Sequence, residues 1–333
     1  LPNGLRPKER RMQSSVAPTN QGIVCTGRGN GKCILVGEHH VLDGATALAL
    51  GLPAFHTDVT LTLVPAATLS AKLDPAAELP DDVRRDAEKM LEKALQQCGV
   101  IGQVTAQVRS TVPIRRGLGS SAALSVAYLR AAQALAGTAS ASDSTLVQWA
   151  RQVEGVVHGT SSGLDPAAAS GSGAVRFAKG EVLGRVAVSA ALAPAQWLLV
   201  DLGHSLPTRD AVALAWAARE RLPEAERTAL RDRISQATES AAAALASGNL
   251  QQLATALTAA GETMPALGVV DVEMTALLAC MRNAGALAAK QTGAGLGGML
   301  LGLAADPASA AAIATACGHL AAAVWTMPVA PPD

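Results

Sequence analysis

The stretch Pro113-Ile114-Arg115-Arg116-Gly117-Leu118-Gly119-Ser120-Ser121-Ala122-Ala123 constrains the fold of this chain most tightly. An alternating run over 104–112 leads into it and an apolar run over 124–135 leads out. It therefore reads as a strand end, a glycine turn and a helix start. A helix start leaves backbone N–H groups without partners, and the aligned peptide dipoles make that end electropositive. Glycines let an anion approach the backbone. Pro113, Arg116, Gly117, Leu118, Gly119, Ser120, Ser121 and Ala122 thus form a candidate phosphate cradle. The alternative is an ordinary serine N-cap behind a glycine turn.

Elsewhere strands and helices alternate as far as Phe177. The runs 22–25 and 33–36 read as short strands flanking a glycine-rich loop, and 59–64 alternates with period two. Helices are expected over 80–97, with Gly99 behind its end, and over 144–157, with Ser142 or Ser144 as cap. Beyond a boundary near Glu181 the pattern turns mainly helical. A strand over 196–202 precedes a helix over 209–247, interrupted near Pro223 and stopped by Gly248. Helices over 249–260 and 272–283 follow, then the segment 286–290, a glycine-rich loop over 292–298, a strand over 299–303 and a closing helix and strand. With 333 residues, this gives two domains, 22–180 and 181–333. Residues 1–21 are polar and aperiodic, and read as a disordered tail or vector-derived remnant with Met12 as the native start.

Composition narrows the partners. Aromatic residues are 2% of the chain, so no platform exists for stacking bases. The formal net charge is zero with no basic stripe, and neither nucleic acid nor an anionic membrane is expected. The five cysteines are scattered without C-x-x-C spacing, which favours free thiols in a reducing cytoplasm over zinc or disulfides. No apolar run suits a membrane span or a secretory signal. A cytoplasmic protein with a small-molecule substrate is the expectation; a homodimer is permitted by these residues but not encoded in them.

Gly27-Arg28-Gly29-Asn30-Gly31-Lys32-Cys33 has the look of a Walker A loop but carries Thr26 and Cys33 where that motif needs Gly and Ser or Thr. Lys32 beside the glycines, with a buried strand and Gly37-Glu38-His39 behind it, is the functional candidate there; the alternative is a solvated strand end. His39 and His40 would point to opposite faces of a strand and so do not chelate together. Gly159-Thr160-Ser161-Ser162-Gly163 matches G-x-S-x-G, but a hydrolase elbow needs a strand before the serine and a helix directly after it. Here a helix precedes, and Leu164-Asp165-Pro166 is expected to break any helix that follows. Asp165 is then held in a rigid polar turn. Glu154, late in an apolar helix, opposes the helix dipole and suggests a cation nearby, although an exposed last turn would also tolerate it. Gly293-Ala294-Gly295-Leu296-Gly297-Gly298 contains G-x-G-x-x-G but leads into a strand, so it is a tight loop rather than a dinucleotide fingerprint. Phosphoryl transfer calls for such a set of separate sites: backbone donors, oxygen ligands for Mg2+, a base and a cation.

In their order these motifs resemble those of the GHMP kinase family. Gly31-Lys32-x-x-Leu35-x-Gly37-Glu38-His39-x-Val41-x-x-Gly44 is similar to the first family motif, the Gly117 loop to the second and Lys290 to Gly298 to the third. Within the family the mevalonate kinases fit best. Ala47 follows Gly44 as in their pattern, and Glu154-x-x-x-His158-Gly159-x-x-Ser162-Gly163-x-Asp165 is similar to their E-x-x-x-H-G-x-P-S-G-x-D, with Ser161 in place of Pro. The resemblance implies an α+β, two-domain fold: a ribosomal protein S5 domain 2-like N-domain that binds ATP and a ferredoxin-like C-domain. It implies ATP and Mg2+ as cofactors and mevalonate as acceptor, with another small alcohol (a sugar or phosphomevalonate) or a non-catalytic ligand sensor as alternatives. By position Asp165 would be the base and Lys32 would neutralise charge beside it. Ser121 and Glu154 would hold Mg2+. Glu38, His39, Ser162, Gly163, Thr292, Gly293 and Ala294 would face the acceptor. Arg115 and Arg116 depart from the small residues usual before the glycines, and one of them is expected to add a cation near the phosphates. Asp43 stands where mevalonate kinases commonly have Tyr, which bears on acceptor recognition.

Overall fold

A computed structural model describes residues 22–75, 79–159 and 161–330. The expected tail over 1–21, Met12 included, lies outside the described residues. The first half of the chain runs β1 (Ile23–Val36), β2 (Ala47–Val64), β3 (Ser70–Leu73), α1 (Asp81–Gln97), β4 (Gln103–Ser110) and α2 (Ser120–Leu135). It continues with α3 (Asp143–His158), α4 (Leu164–Ala169), β5 (Gly173–Ala178) and β6 (Glu181–Val186). In β4 the period-two pattern is realised: Val104 and Ala106 are buried while Gln103, Thr105 and Gln107 are exposed. α1 buries Ala87, Met90, Leu91, Ala94 and Leu95, a single stripe at helical spacing. α2 is apolar around most of its circumference and is correspondingly enclosed, packed on β1 and β2 and flanked by α1 and α3. The long β2 organises the first sheet, in the order β3-β4-β2-β5-β6 with β1 along its other edge.

The second half contributes β7 (Gln196–Ser205), α5 (Thr208–Glu220), α6 (Glu224–Ser247), α7 (Leu250–Gly261), α8 (Val272–Asn283), β8 (Ala288–Thr292), β9 (Gly297–Ala304), α9 (Pro307–Cys317) and β10 (Ala323–Pro328). Its antiparallel sheet has the order β10-β7-β9-β8, the arrangement of a ferredoxin-like unit. One face packs Leu198, Val200 and Leu300 against Met274, Leu277, Met281 and Ile313 of α8 and α9. The other joins Trp197, Leu199 and Leu301 to α6 and α7 and to Leu48 and Leu50 of β2, so a common core ties the halves together. Phe55 of β2 meets Trp325 of β10 edge to face at 5.7 Å. β6 pairs with β5, so the passage from one sheet to the other falls between β6 and β7. Among the described residues no helix is long and apolar enough to cross a membrane.

Three expectations are corrected. The glycines at 27–31 form no loop; they lie within the continuous β1. A Cβ on Gly27 would come within 2.2 Å of the Ala127 carbonyl oxygen, and one on Gly29 within 2.0 Å of that of Ala123. Gly27 and Gly29 let α2 lie directly on the strand, while Gly31 makes room for Phe55 of β2. The strand ends at Val36, where Gly37 turns the chain at φ +105°, so His39 and His40 are not strand neighbours: His40 opens a short 3-10 turn (His40–Asp43) behind His39. Finally, Leu164-Asp165-Pro166 does not break a helix but starts α4. Proline costs nothing in a first turn, where its missing N–H has no intrahelical acceptor to lose.

Candidate active site

Lys32 sits in the buried stretch of β1, and its N–H donates to the Leu118 carbonyl at 2.9 Å, which joins the strand to the glycine turn. Its side chain is 3% exposed and runs along Gly119, where a Cβ would stand 2.6 Å from Lys32 Cγ. Its ammonium ends 2.9 Å from Oδ2 of Asp165. Asp165 is delivered by the start of α4: Gly163 turns the chain at φ +95°, and Ser162 Oγ accepts the Leu164 N–H at 3.2 Å. α4 buries Leu164 and Pro166 to Ala169, leaving the Asp165 carboxylate accessible at 38%.

Glu154 points inward from α3 and is buried. Its carboxylate accepts hydrogen bonds from Ser161 Oγ at 2.9 Å and from Ser121, the second residue of α2. Burial first, and then the negative charge of Asp165, push its pKa up to about 7; the two hydroxyls and Lys32 oppose that rise. The cluster thus unites Lys32, Asp165, Glu154, Ser121 and Ser161 at the N-terminus of α2. Ser161 was not among the residues predicted to act, although its replacement of Pro was visible in the sequence.

The turn before α2 is braced from both sides. Arg115 adopts φ +58° and pairs with Asp82 of α1 at 2.6 Å, while its carbonyl accepts from Ser205 Oγ of β7 at 2.7 Å. Arg116 Nε lies 3.4 Å from Oδ2 of Asp201 in β7. Each guanidinium therefore already has a carboxylate partner. Pro113 precedes the turn half-buried, Gly117 and Ser120 line it, and Leu118 and Ala122 are enclosed beneath it.

The third motif faces this turn. A Cβ on Gly293 would be 3.7 Å from Gly117 Cα, and Ala294 presents its carbonyl to Nε2 of His39 at 2.9 Å. Thr292 is enclosed: its hydroxyl accepts the Ile34 N–H at 2.8 Å and donates to the Ile34 carbonyl at 3.0 Å. Glu38 is likewise sealed, its side chain 0% exposed, in an ion pair with Lys290 of β8. Lys290 Nζ also donates to the Gln291 carbonyl at 2.6 Å. Of the residues expected to face an acceptor, Glu38, Gly163, Thr292 and Gly293 are buried. The sequence marks Lys290 only as the head of a motif, because its partner lies 252 positions away.

A cation between two carboxylates, hydroxyls and an electropositive helix start is a layout for handling phosphate. Comparison with known proteins bears on the chain as a whole. The family model "GHMP kinases N terminal domain" matches residues 83–174 and "GHMP kinases C terminal" matches 241–321. Mevalonate kinase of Aeropyrum pernix is 31% identical over 291 residues, which span 82% of this chain and 86% of that protein. The crystal structure of L. major mevalonate kinase in complex with R-mevalonate superposes with TM-score 0.79 at 26% identity, covering 94% of this chain and 99% of that one. Streptococcus pneumoniae phosphomevalonate kinase, at 14% identity and TM-score 0.74 over 91% of this chain and 99% of its own, shares the fold. The chain is an α+β protein of two domains with the architecture of ATP-dependent small-molecule kinases. It belongs to the GHMP kinase family, and its similarity to mevalonate kinases runs along most of its length.

Proposed function

We propose that this chain transfers the γ-phosphate of ATP to the 5-hydroxyl of mevalonate, a step of isoprenoid precursor synthesis. The observation that carries the reading is the Lys32–Asp165 contact beside the Gly117 turn, in a chain whose relatives are mevalonate kinases. The backbone N–H groups at the start of α2 would hold the phosphates. Asp165 would accept the proton of the acceptor hydroxyl as its oxygen bonds to the γ-phosphorus and the bond to the ADP oxygen breaks. Lys32 balances the charge of Asp165 and, at 3% exposure, is kept from water. Positioning and electrostatics supply most of the acceleration in such reactions.

Ser121 and Glu154 fit Mg2+. No cluster of three His, Cys, Asp or Glu side chains able to hold a metal occurs among the described residues, but Mg2+ beside phosphates commonly takes only one or two protein carboxylates. A buried carboxylate pushed up to about 7 by desolvation is relieved by a cation. When bound, Mg2+ would neutralise charge on the phosphate oxygens. A coupled ADP-release assay with mevalonate, phosphomevalonate and galactose tests the assignment, with turnover expected on mevalonate. Asp165→Ala should lose roughly 10²–10⁴-fold in kcat while still binding nucleotide. Turnover on another acceptor alone, or near-normal turnover in Asp165→Ala, refutes it.

A further inference from the structure

A narrow cavity lies between the 3-10 turn and α5, lined by His39, His40, Leu42, Ala215, Trp216 and Arg219. It holds about 10 Å3, room for roughly one water. His39 links it to the third motif: its Nε2 is bonded to the carbonyl of Ala294, in the loop that faces Gly117. Four buried polar atoms of its lining residues have no hydrogen-bond partner: Nδ1 of His39, Nε2 of His40, and Nε and Nη1 of Arg219. The Arg219 guanidinium lies over the Trp216 ring, 4.7 Å from its centroid, and spends one nitrogen, Nη2, on Asp43 Oδ1 at 2.5 Å. A guanidinium is a planar fork of five donors suited to gripping a carboxylate through two of them. Buried donors left without acceptors are a costly arrangement in a folded chain, unless a ligand completes them.

Mevalonate carries a carboxylate at the end opposite its reacting hydroxyl. Resting on the acceptor assigned above, we propose that Arg219 grips that carboxylate and that Asp43 competes with it for the guanidinium. The cavity has no space for a carboxylate beside the ion pair, so entry requires Asp43 to yield. Burial lowers both imidazoles, His40 to about 4, so neither adds a charge near neutrality. With His39 Nε2 donating to Ala294, its Nδ1 is the acceptor nitrogen, free to receive a hydroxyl of the same ligand.

The test is steady-state kinetics with mevalonate and with 3-methylpentane-1,3,5-triol, which keeps the hydroxyls and lacks the carboxylate. Arg219→Gln should raise KM for mevalonate at least tenfold, by more than kcat falls, and leave KM for the triol nearly unchanged. Asp43→Asn should lower KM for mevalonate. An ion pair that merely braced α5 would be broken by either substitution, and both variants would then weaken both acceptors alike. That result overturns the inference while leaving the acceptor intact. A wild-type protein with no turnover on mevalonate overturns both. Should Arg219→Gln fail to fold, Asp43→Asn decides alone: a KM unchanged or raised refutes the competition.

Discussion

Gly119→Ala separates the geometry of the site from the stability of the fold. Gly119 precedes α2 at φ +73°, and alanine there costs about 1–2 kcal/mol of backbone strain. The added Cβ would stand 2.6 Å from Lys32 Cγ and 3.0 Å from its Cε, against ordinary carbon contacts of ~3.5–4.0 Å. Lys32 must therefore move by roughly 1 Å, and its enclosure forces the shift onto the 2.9 Å contact with Asp165. A misplacement of that size costs on the order of 10²-fold in rate. Gly117→Ala is the control: φ is +83°, but the nearest atom to its Cβ would be the Thr292 carbonyl oxygen at 3.6 Å, an ordinary contact. The two variants carry the same strain and differ in whether Lys32 is pushed. Urea denaturation should give both a loss of about 1–2 kcal/mol, whereas kcat should fall about 100-fold in Gly119→Ala and far less in Gly117→Ala. Equal losses of kcat in the two, or near-wild-type turnover in Gly119→Ala, would refute the reasoning.

Glu38→Leu leaves Lys290 charged and enclosed, and should cost about 3–5 kcal/mol in urea denaturation; Glu38→Leu with Lys290→Met should recover most of it, and no recovery would mean the pair is not the cause. The folded-state pKa of Glu154, raised to about 7 from 4.5, means that native protein keeps a proton which the unfolded chain releases as pH rises through that interval. The native state therefore loses stability from about pH 4.5 upward, by about 3 kcal/mol at pH 8. Metal-free Glu154→Gln should escape that loss, so its stability relative to wild type should improve by about 3 kcal/mol between pH 4.5 and pH 8 while its activity falls. A difference independent of pH would show that Glu154 is not held protonated.

What the sequence made legible was local. Strand 104–112, helix 272–283 and the serine cap of α3 declare themselves through side-chain period and cap chemistry within a few residues. Gly27 and Gly29 of β1 misled because their cause is remote: what they accommodate is the α2 backbone, about 100 positions away in the chain, and composition alone equates glycine with a turn. Pro166 misled for the opposite reason, since its meaning depends on whether it stands in the first turn or the interior of a helix. Lys32, Asp165 and Glu154 could be named because each lies in a recognisable motif, and the structure brings them together. Glu38 was legible as important but not as buried, because its partner is a lysine on a strand of the other half.

Ion pairs that join the two halves explain why these distant motifs meet in one register. Glu38–Lys290, Arg116–Asp201 and Asp43–Arg219 each link a residue of the first half to one of the second, and all three are largely withdrawn from water. Such pairs add little net stability, since desolvation offsets most of the attraction, but a mismatched partner is heavily penalised. Their effect is to fix position: Lys290 holds the chain just before His39, and Arg116 holds the turn before α2. Lys290 directs its ammonium at Glu38, Gln291 and Ile34, which accounts for its three donors. Arg219 alone of the three cations keeps buried donors without acceptors. Arg176, whose pair with Glu239 also joins the halves, leaves only its Nε so, whereas Arg219 leaves two nitrogens inside a cavity. The incomplete pair is therefore the one where a ligand can be read, and the residue opposite it is Asp43.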